Sequence, residues 1–168
     1  MLTAEENERI TRVGLGTPMG NVMRRYWMPF ALCSQLPEAD CAPIRVRLLG
    51  ENLIAFRNSD GKVGVLNAAC PHRKAELFFG RIENNGIRCV YHGWMFDVDG
   101  QCVDMPSEPA ASNFKDKVRV KSYPVLEIGN VLWTYMGPSA LMPPSPDFEW
   151  ARVPATHRAV TWGHQRSN

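Results

Sequence analysis

Cys70-Pro71-His72-Arg73 and Cys89-Val90-Tyr91-His92-Gly93-Trp94, with sixteen residues between the first histidine and the second cysteine, decide how this chain is read. Each stretch offers one thiol and one imidazole across a gap of one or two residues, so a single short loop can aim both side chains the same way. Pro71 stiffens the first loop by fixing its own φ, and Gly93 permits a sharp exit from the second. Gly80 and Gly86 supply turns in the segment between them. Two thiolates and two imidazoles in separate loops form a metal-binding inventory. Two arrangements use it: four donors around one tetrahedral zinc, or a pair of irons with two cysteines on one and two histidines on the other. Zinc modules usually join Cys to Cys and His to His, so the mixed order within each loop favours the iron pair. Backbone N–H groups in loops this tight are placed to donate to the sulfurs and so tune such a centre.

Outward from these loops the sequence reads as short strands. Residues 44–49 alternate as a half-buried strand does, residues 52–57 form the next strand, and Asn58-Ser59-Asp60-Gly61 turns into residues 62–66. Residues 87–90, 95–98, 101–103, 118–120, 123–127 and 131–136 complete the series, with turns at Asp99-Gly100 and Gly129-Asn130. This spacing predicts a mainly β protein, an antiparallel β-sandwich. At the start, Thr3 with Glu6 has the capping-box pattern for a helix over 3–12, and residues 19–25 form a second short helix after Gly14, Gly16 and Pro18. The chain therefore divides into a helical arm (1–28), the β domain (29–138) and a proline-rich exit (139–168), in which Pro143, Pro144 and Pro146 suit an extended linker. The closing residues 163–168 do not read as a natural end, and a continuation is expected.

The 168 residues, 45% hydrophobic and 21% charged, have the make-up of an ordinary globular domain with its own core. A formal charge of +2 gives no case for nucleic acid or a membrane surface as partner. The N-terminus is acidic and polar, unlike a secretory signal, and no apolar run approaches the ~20 residues of a spanning helix. Arg24-Arg25 precedes an apolar run too short for twin-arginine export and broken by Pro29, so a cytoplasmic protein is expected. Five sparse cysteines do not make a disulfide framework. Cys33, Cys41 and Cys102 have no histidine beside them and receive no ligand role.

The run from Cys70 to Pro109, with Cys-Pro-His-Arg, Cys-x-Tyr-His-Gly-Trp-x-Phe-Asp, Asp-Gly and Met-Pro-Ser-Glu-Pro, resembles the N-terminal half of Rieske non-haem iron oxygenase large subunits. The phthalate dioxygenase-like and phenoxybenzoate dioxygenase-like branch is the nearest in pattern, and the similarity extends more loosely over residues 21–29 and the segment ending near Gly137. The resemblance implies a Rieske [2Fe–2S] cluster on Cys70, His72, Cys89 and His92, with the cysteines on the inner iron and the histidines on the electron-exit side. It implies an NAD(P)H-dependent flavin and iron–sulfur reductase as the electron source. It also implies a mononuclear Fe(II) in a catalytic domain beyond this chain, commonly reached across a subunit boundary in a homotrimer, where O2 is activated to hydroxylate an aromatic substrate. No catalytic residue is expected in the chain itself. Respiratory Rieske proteins bridge their loops with two further cysteines, and Ala75 and Tyr91 stand at those positions here. Lys74 departs from the Gly or Arg usual in the family. A free-standing Rieske ferredoxin is the alternative, against which stand the N-terminal arm and the proline-rich exit.

Tyr91 and Trp94 flank the second pair, as shields or, for Trp94 in particular, as core aromatics. The Met105-Pro106 loop resembles the proline loop that covers the cluster in the family, and is otherwise an ordinary turn. Arg73, Lys74, Arg81 and Arg88 add basic charge suited to an acidic reductase, although each singly reads as solvated surface. His157 and His164 lie beyond the domain without the family's Asp-x-x-His-x-x-x-x-His pattern, so neither is read as an iron ligand.

Overall fold

In the computed structural model, which describes residues 1–109 and 111–163, eleven strands are described: β1 (Trp27–Leu32), β2 (Ile44–Leu48), β3 (Glu51–Arg57), β4 (Val63–Asn67), β5 (Arg81–Glu83), β6 (Gly86–Arg88), β7 (Met95–Phe96), β8 (Cys102–Asp104), β9 (Ser122–Tyr123), β10 (Val125–Ile128) and β11 (Val131–Tyr135). They form three antiparallel sheets, ordered β1-β11-β10, β2-β3-β4-β9 and β5-β6-β7-β8. The mainly β, antiparallel expectation holds.

The middle of the central sheet is buried on both faces, and β3 shows why. Leu53, Ile54, Ala55 and Phe56 are each at most 1% exposed. Successive side chains point to opposite faces of a strand. Leu53 and Ala55 accordingly join one core, with Val46, Val65 and Tyr123 from their own sheet and Met28 and Leu132 from the β1 sheet. Ile54 and Phe56 join the other, with Leu66 and with Ile87, Phe96 and Cys102 from the β5–β8 sheet. An unbroken apolar run is the pattern of a strand covered on both sides. Burying a side chain the size of Phe56 or Ile54 contributes about 1.5–3 kcal/mol. The second core also contains both candidate cysteines, so the site is built on the sheet's inner layer.

Departures from the sequence reading have local causes. β1 was not expected because Pro29 interrupts it; it is an edge strand whose register shifts between Pro29 and Ala31, where a proline costs no ladder bond. Pro124 splits the expected strand over 123–127 into β9 and β10, which belong to different sheets. Residues 118–120 form only a bridge between Gln101 and Arg119. The proline-rich exit is held to the domain. The Trp27 indole N–H donates to the Pro143 carbonyl at 3.1 Å, and Phe148 packs between Trp133 (5.1 Å) and Trp150 (5.6 Å). Among the described residues no helix is long and apolar enough to cross a membrane.

The arm begins with α1 (Ala4–Thr11), capped by Thr3 and Glu6 as the sequence predicts, and continues in α2 (Pro18–Met23), capped by Thr17. Its anchor is Arg24, 5% exposed, whose guanidinium donates to the carbonyls of Val13 and Leu49 and to Glu51 Oε1 at 2.8 Å. Glu51 also accepts from Lys121 Nζ and the Tyr123 hydroxyl. Burial pushes the Glu51 carboxyl up, but its three donors outweigh this and hold it below the usual range. Removing one partner of a buried pair strands the other, so Arg24→Met is expected to cost about 3 kcal/mol in denaturant unfolding. A loss within the error of the wild-type value would show the anchor to be dispensable.

Candidate metal centre

The first loop leaves β4 through Asn67, whose side chain accepts from the Ala69 N–H at 2.9 Å. Cys70 then closes a turn on itself: its N–H donates to the Ala75 carbonyl and its carbonyl accepts from Lys74 N–H, both at 2.9 Å. The second loop, leaving β6, repeats the design. Cys89 N–H donates to the Trp94 carbonyl at 2.9 Å and the Cys89 carbonyl accepts from Gly93 N–H at 3.0 Å. In both loops the fifth residue has positive φ, +60° at Lys74 and +75° at Gly93. The two loops thus share one backbone form, with the histidine third in the first and fourth in the second.

These matched loops bring the four predicted residues together in a sorted arrangement. Cys70 and Cys89 are 1% and 3% exposed, whereas His72 and His92 are exposed with ring centroids 4.5 Å apart. The two thiols are hydrogen-bonding neighbours. Burial pushes the Cys70 thiol up to about 11, with Cys89 adding to the rise, while the backbone N–H groups of His72 and Arg73 point at its sulfur and pull the other way. Desolvation, then the nearby His92 and Arg73 charges, lower the His72 imidazole. Trp94 is 8% exposed and stacks on His72 at 4.3 Å and 9°, so it is both core aromatic and cover. Tyr91 is exposed and lies 3.9 Å from His92. Met105 is buried with both cysteines, and Pro106 Cγ lies 3.1 Å from where a Cβ on Gly93 would stand, so the third loop does rest on the second.

The donor set fits a two-iron cluster. Buried thiols pair with each other, exposed imidazoles pair with each other, and N–H groups already aim at one sulfur. The Trp94 indole N–H is buried there without a partner, a cost unless a further acceptor completes the site. Among the described residues no three His, Cys, Asp or Glu side chains gather round a single point.

Other candidates fall elsewhere. Cys33 donates to Glu127, Cys102 is buried beneath Asp104, and all five cysteines are unbridged. His157 is exposed in a turn beside Thr156, and His164 lies outside the described residues. Arg88 is the residue that sequence reasoning misplaced. It is no solvated charge: its side chain is 17% exposed and meets Glu83, Asp104 and the Gly93 carbonyl. Its place one residue before Cys89, on a strand whose neighbours are buried, was the available signal.

A Rieske [2Fe-2S] domain model matches residues 26–124. The chain is 48% identical over its full length to the 3-chlorobenzoate-3,4-dioxygenase oxygenase subunit of Comamonas testosteroni, covering 39% of it. It is 50% identical over 90% of its length to the phthalate 4,5-dioxygenase oxygenase subunit of Pseudomonas putida, covering 34% of that protein. Among solved structures it is similar to dicamba monooxygenase, with a TM-score of 0.69 and 34% identity over 80% of this chain and 42% of that one. The chain therefore spans about two-fifths or less of the length of these relatives.

Positive φ costs an L residue about 1–2 kcal/mol and costs glycine little. Lys74→Gly is therefore expected to raise stability by about 0.5–1 kcal/mol, and Gly93→Ala, which also meets Pro106, to lower it by at least about 1 kcal/mol, both read by denaturant unfolding. Opposite signs would show that the loops are not closed as described.

Hydrogen bonds from Arg81 and then Arg88 hold the Glu83 carboxyl at about 2, against a usual 4.5. A folded value below the unfolded one gives stability that is complete above 4.5 and lost as pH falls toward 2. Glu83→Gln should flatten this acid limb when unfolding midpoints are compared between neutral pH and about pH 3; an unchanged slope would remove Glu83 from the account.

Proposed function

The chain belongs to the Rieske [2Fe–2S] domain family, and from that premise we propose that Cys70, His72, Cys89 and His92 hold a [2Fe–2S] cluster through which it carries single electrons. The observation that carries this reading is the sorting of donors on twin loops, thiols inward and imidazoles outward. When bound, the cluster accepts and releases one electron, with two thiolates on one iron and two imidazoles on the other. The rest is the protein's work. Cys70 and Cys89 keep water from the inner side by their burial with Leu77, Ile87 and Met105. Backbone N–H groups of His72 and Arg73 stabilise negative charge on the Cys70 sulfur, which raises a reduction potential. Trp94 fixes the His72 ring by stacking, and His72 and His92 present their edges at the surface.

The whole protein is proposed to be the oxygenase component of an aromatic-ring-hydroxylating system, since the two relatives named above are oxygenase subunits of dioxygenases. The same similarity counts against a free-standing ferredoxin. In this reading residues 1–28 are an arm, 29–138 the electron-transfer domain, and 139–168 lead to a catalytic domain holding a mononuclear Fe(II) for O2 activation. Electrons come from an NAD(P)H-dependent flavin and iron–sulfur reductase and cross to the catalytic iron within a homotrimer in the cytoplasm.

The test is chemical analysis of the purified chain with electron paramagnetic resonance after reduction. Iron and acid-labile sulfide in equal amounts with a mixed Cys/His signal are expected, and Cys70→Ser or Cys89→Ser should abolish both. His92→Cys should keep iron but lower the potential, because histidine ligation lifts Rieske centres toward roughly −150 to +300 mV. A colourless protein carrying one zinc would overturn the reading.

A further inference from the structure

Arg88 immediately precedes Cys89, and its guanidinium joins three elements. It donates to Glu83 on β5, to Asp104 Oδ2 on β8 at 2.7 Å and to the Gly93 carbonyl at 2.6 Å, while Nη2 contacts Met95 Sδ at 3.6 Å. The closure of the second loop uses the N–H and carbonyl of Cys89, the N–H of Gly93 and the carbonyl of Trp94. Arg88 supplies the donor for the Gly93 carbonyl, in the Gly93–Trp94 peptide, one peptide beyond the bond that joins His92 to Gly93. Asp104 stands two residues before Pro106, which lies beside Gly93: a Cβ there would stand 3.1 Å from Pro106 Cγ and 3.9 Å from Arg88 Nη1. One cation therefore reaches the histidine-bearing loop and the strand leading into its covering loop at once.

We propose that Arg88 is a positioning residue for the His92 side of the centre, locking the loop that carries Cys89 and His92 to the Met105-Pro106 loop. This rests on the cluster reading above. The planar guanidinium suits the task because it offers several donors in fixed directions. A lysine ammonium on a flexible stem can meet the Gly93 carbonyl or Asp104, but does not reproduce the fork. Glu83, which Arg88 shares with Arg81, and Asp104 offset its partly buried charge, so Arg88 acts through geometry rather than as a free positive charge beside the centre.

The experiment uses the full chain with its cluster and compares wild type with Arg88→Lys, Arg88→Met, Asp104→Asn and, as a control, the exposed Arg47→Met. Three quantities are read: loss of iron to an external chelator, the g-values of the reduced protein, and the midpoint potential. Arg88→Met is expected to release iron about 10-fold faster, the scale found when support around a metal ligand is removed. Its remaining loaded fraction should show shifted or broadened g-values and a displaced potential. Arg88→Lys and Asp104→Asn should give the same changes at smaller size, and Arg47→Met none. A purely structural role would lower yield and stability yet leave the g-values of the loaded fraction untouched, and that result would overturn the proposal. If Arg88→Met does not fold, unchanged g-values and release rates in both Arg88→Lys and Asp104→Asn overturn it equally. A wild-type protein without a mixed-ligand signal would overturn the cluster reading itself, before any variant is compared.

Discussion

Each candidate loop is tied to its own cysteine by two main-chain hydrogen bonds, one given by the cysteine N–H and one accepted by its carbonyl. These closures set where the sulfurs and imidazoles can go. They need a fifth residue with positive φ, which the second loop meets with glycine and the first with a lysine. They also turn the cysteine inward and leave the histidine on the outer bend. The division between buried thiols and exposed imidazoles follows from this shared form, applied twice.

The loops keep that form because of what lies beneath them. The middle of the central sheet, β3 and β4, has no solvent face: one side packs on the β1 sheet and the other on the sheet that carries the second loop. The arm reaches this frame through Arg24 and Glu51, and Glu51 in turn meets Lys121 and Tyr123 near the far edge of the central sheet. Distant parts of the sequence thus bear on one slab of structure. The proline-rich exit joins it as well, through the Trp27 bond to Pro143 and the packing of Phe148 between two tryptophans.

Much of this was legible in the sequence, for reasons that differ by residue. The four donors stood out because Cys and His at such spacing have few other uses. The hairpins around Asn58-Gly61 and Gly129-Asn130 were legible because turn residues have local causes, and the Thr3 cap for the same reason. β1 was hidden by Pro29, whose tolerance depends on being at an edge, a fact of pairing and not of sequence. Arg88 was hidden because a charged residue declares its burial only through partners, and Asp104 lies sixteen residues away from it. The kinship of the two loops escaped notice since their sequences differ at every position but the cysteine and their histidines are out of step. Only the hydrogen bonds reveal it.

That kinship bears on how the site responds to a change of charge. An electron arriving between two loops pulls on every dipole around it, and the energy spent in rearranging them slows the transfer. Here the peptide groups of Cys70, Lys74 and Ala75, and those of Cys89, Gly93 and Trp94, are already committed to each other, with Pro71 and Pro106 restricting the chain further. A frame so occupied has little left to rearrange. On the proposed reading, the matched loops form a stiff dielectric on either side of the centre, which favours a low reorganisation energy.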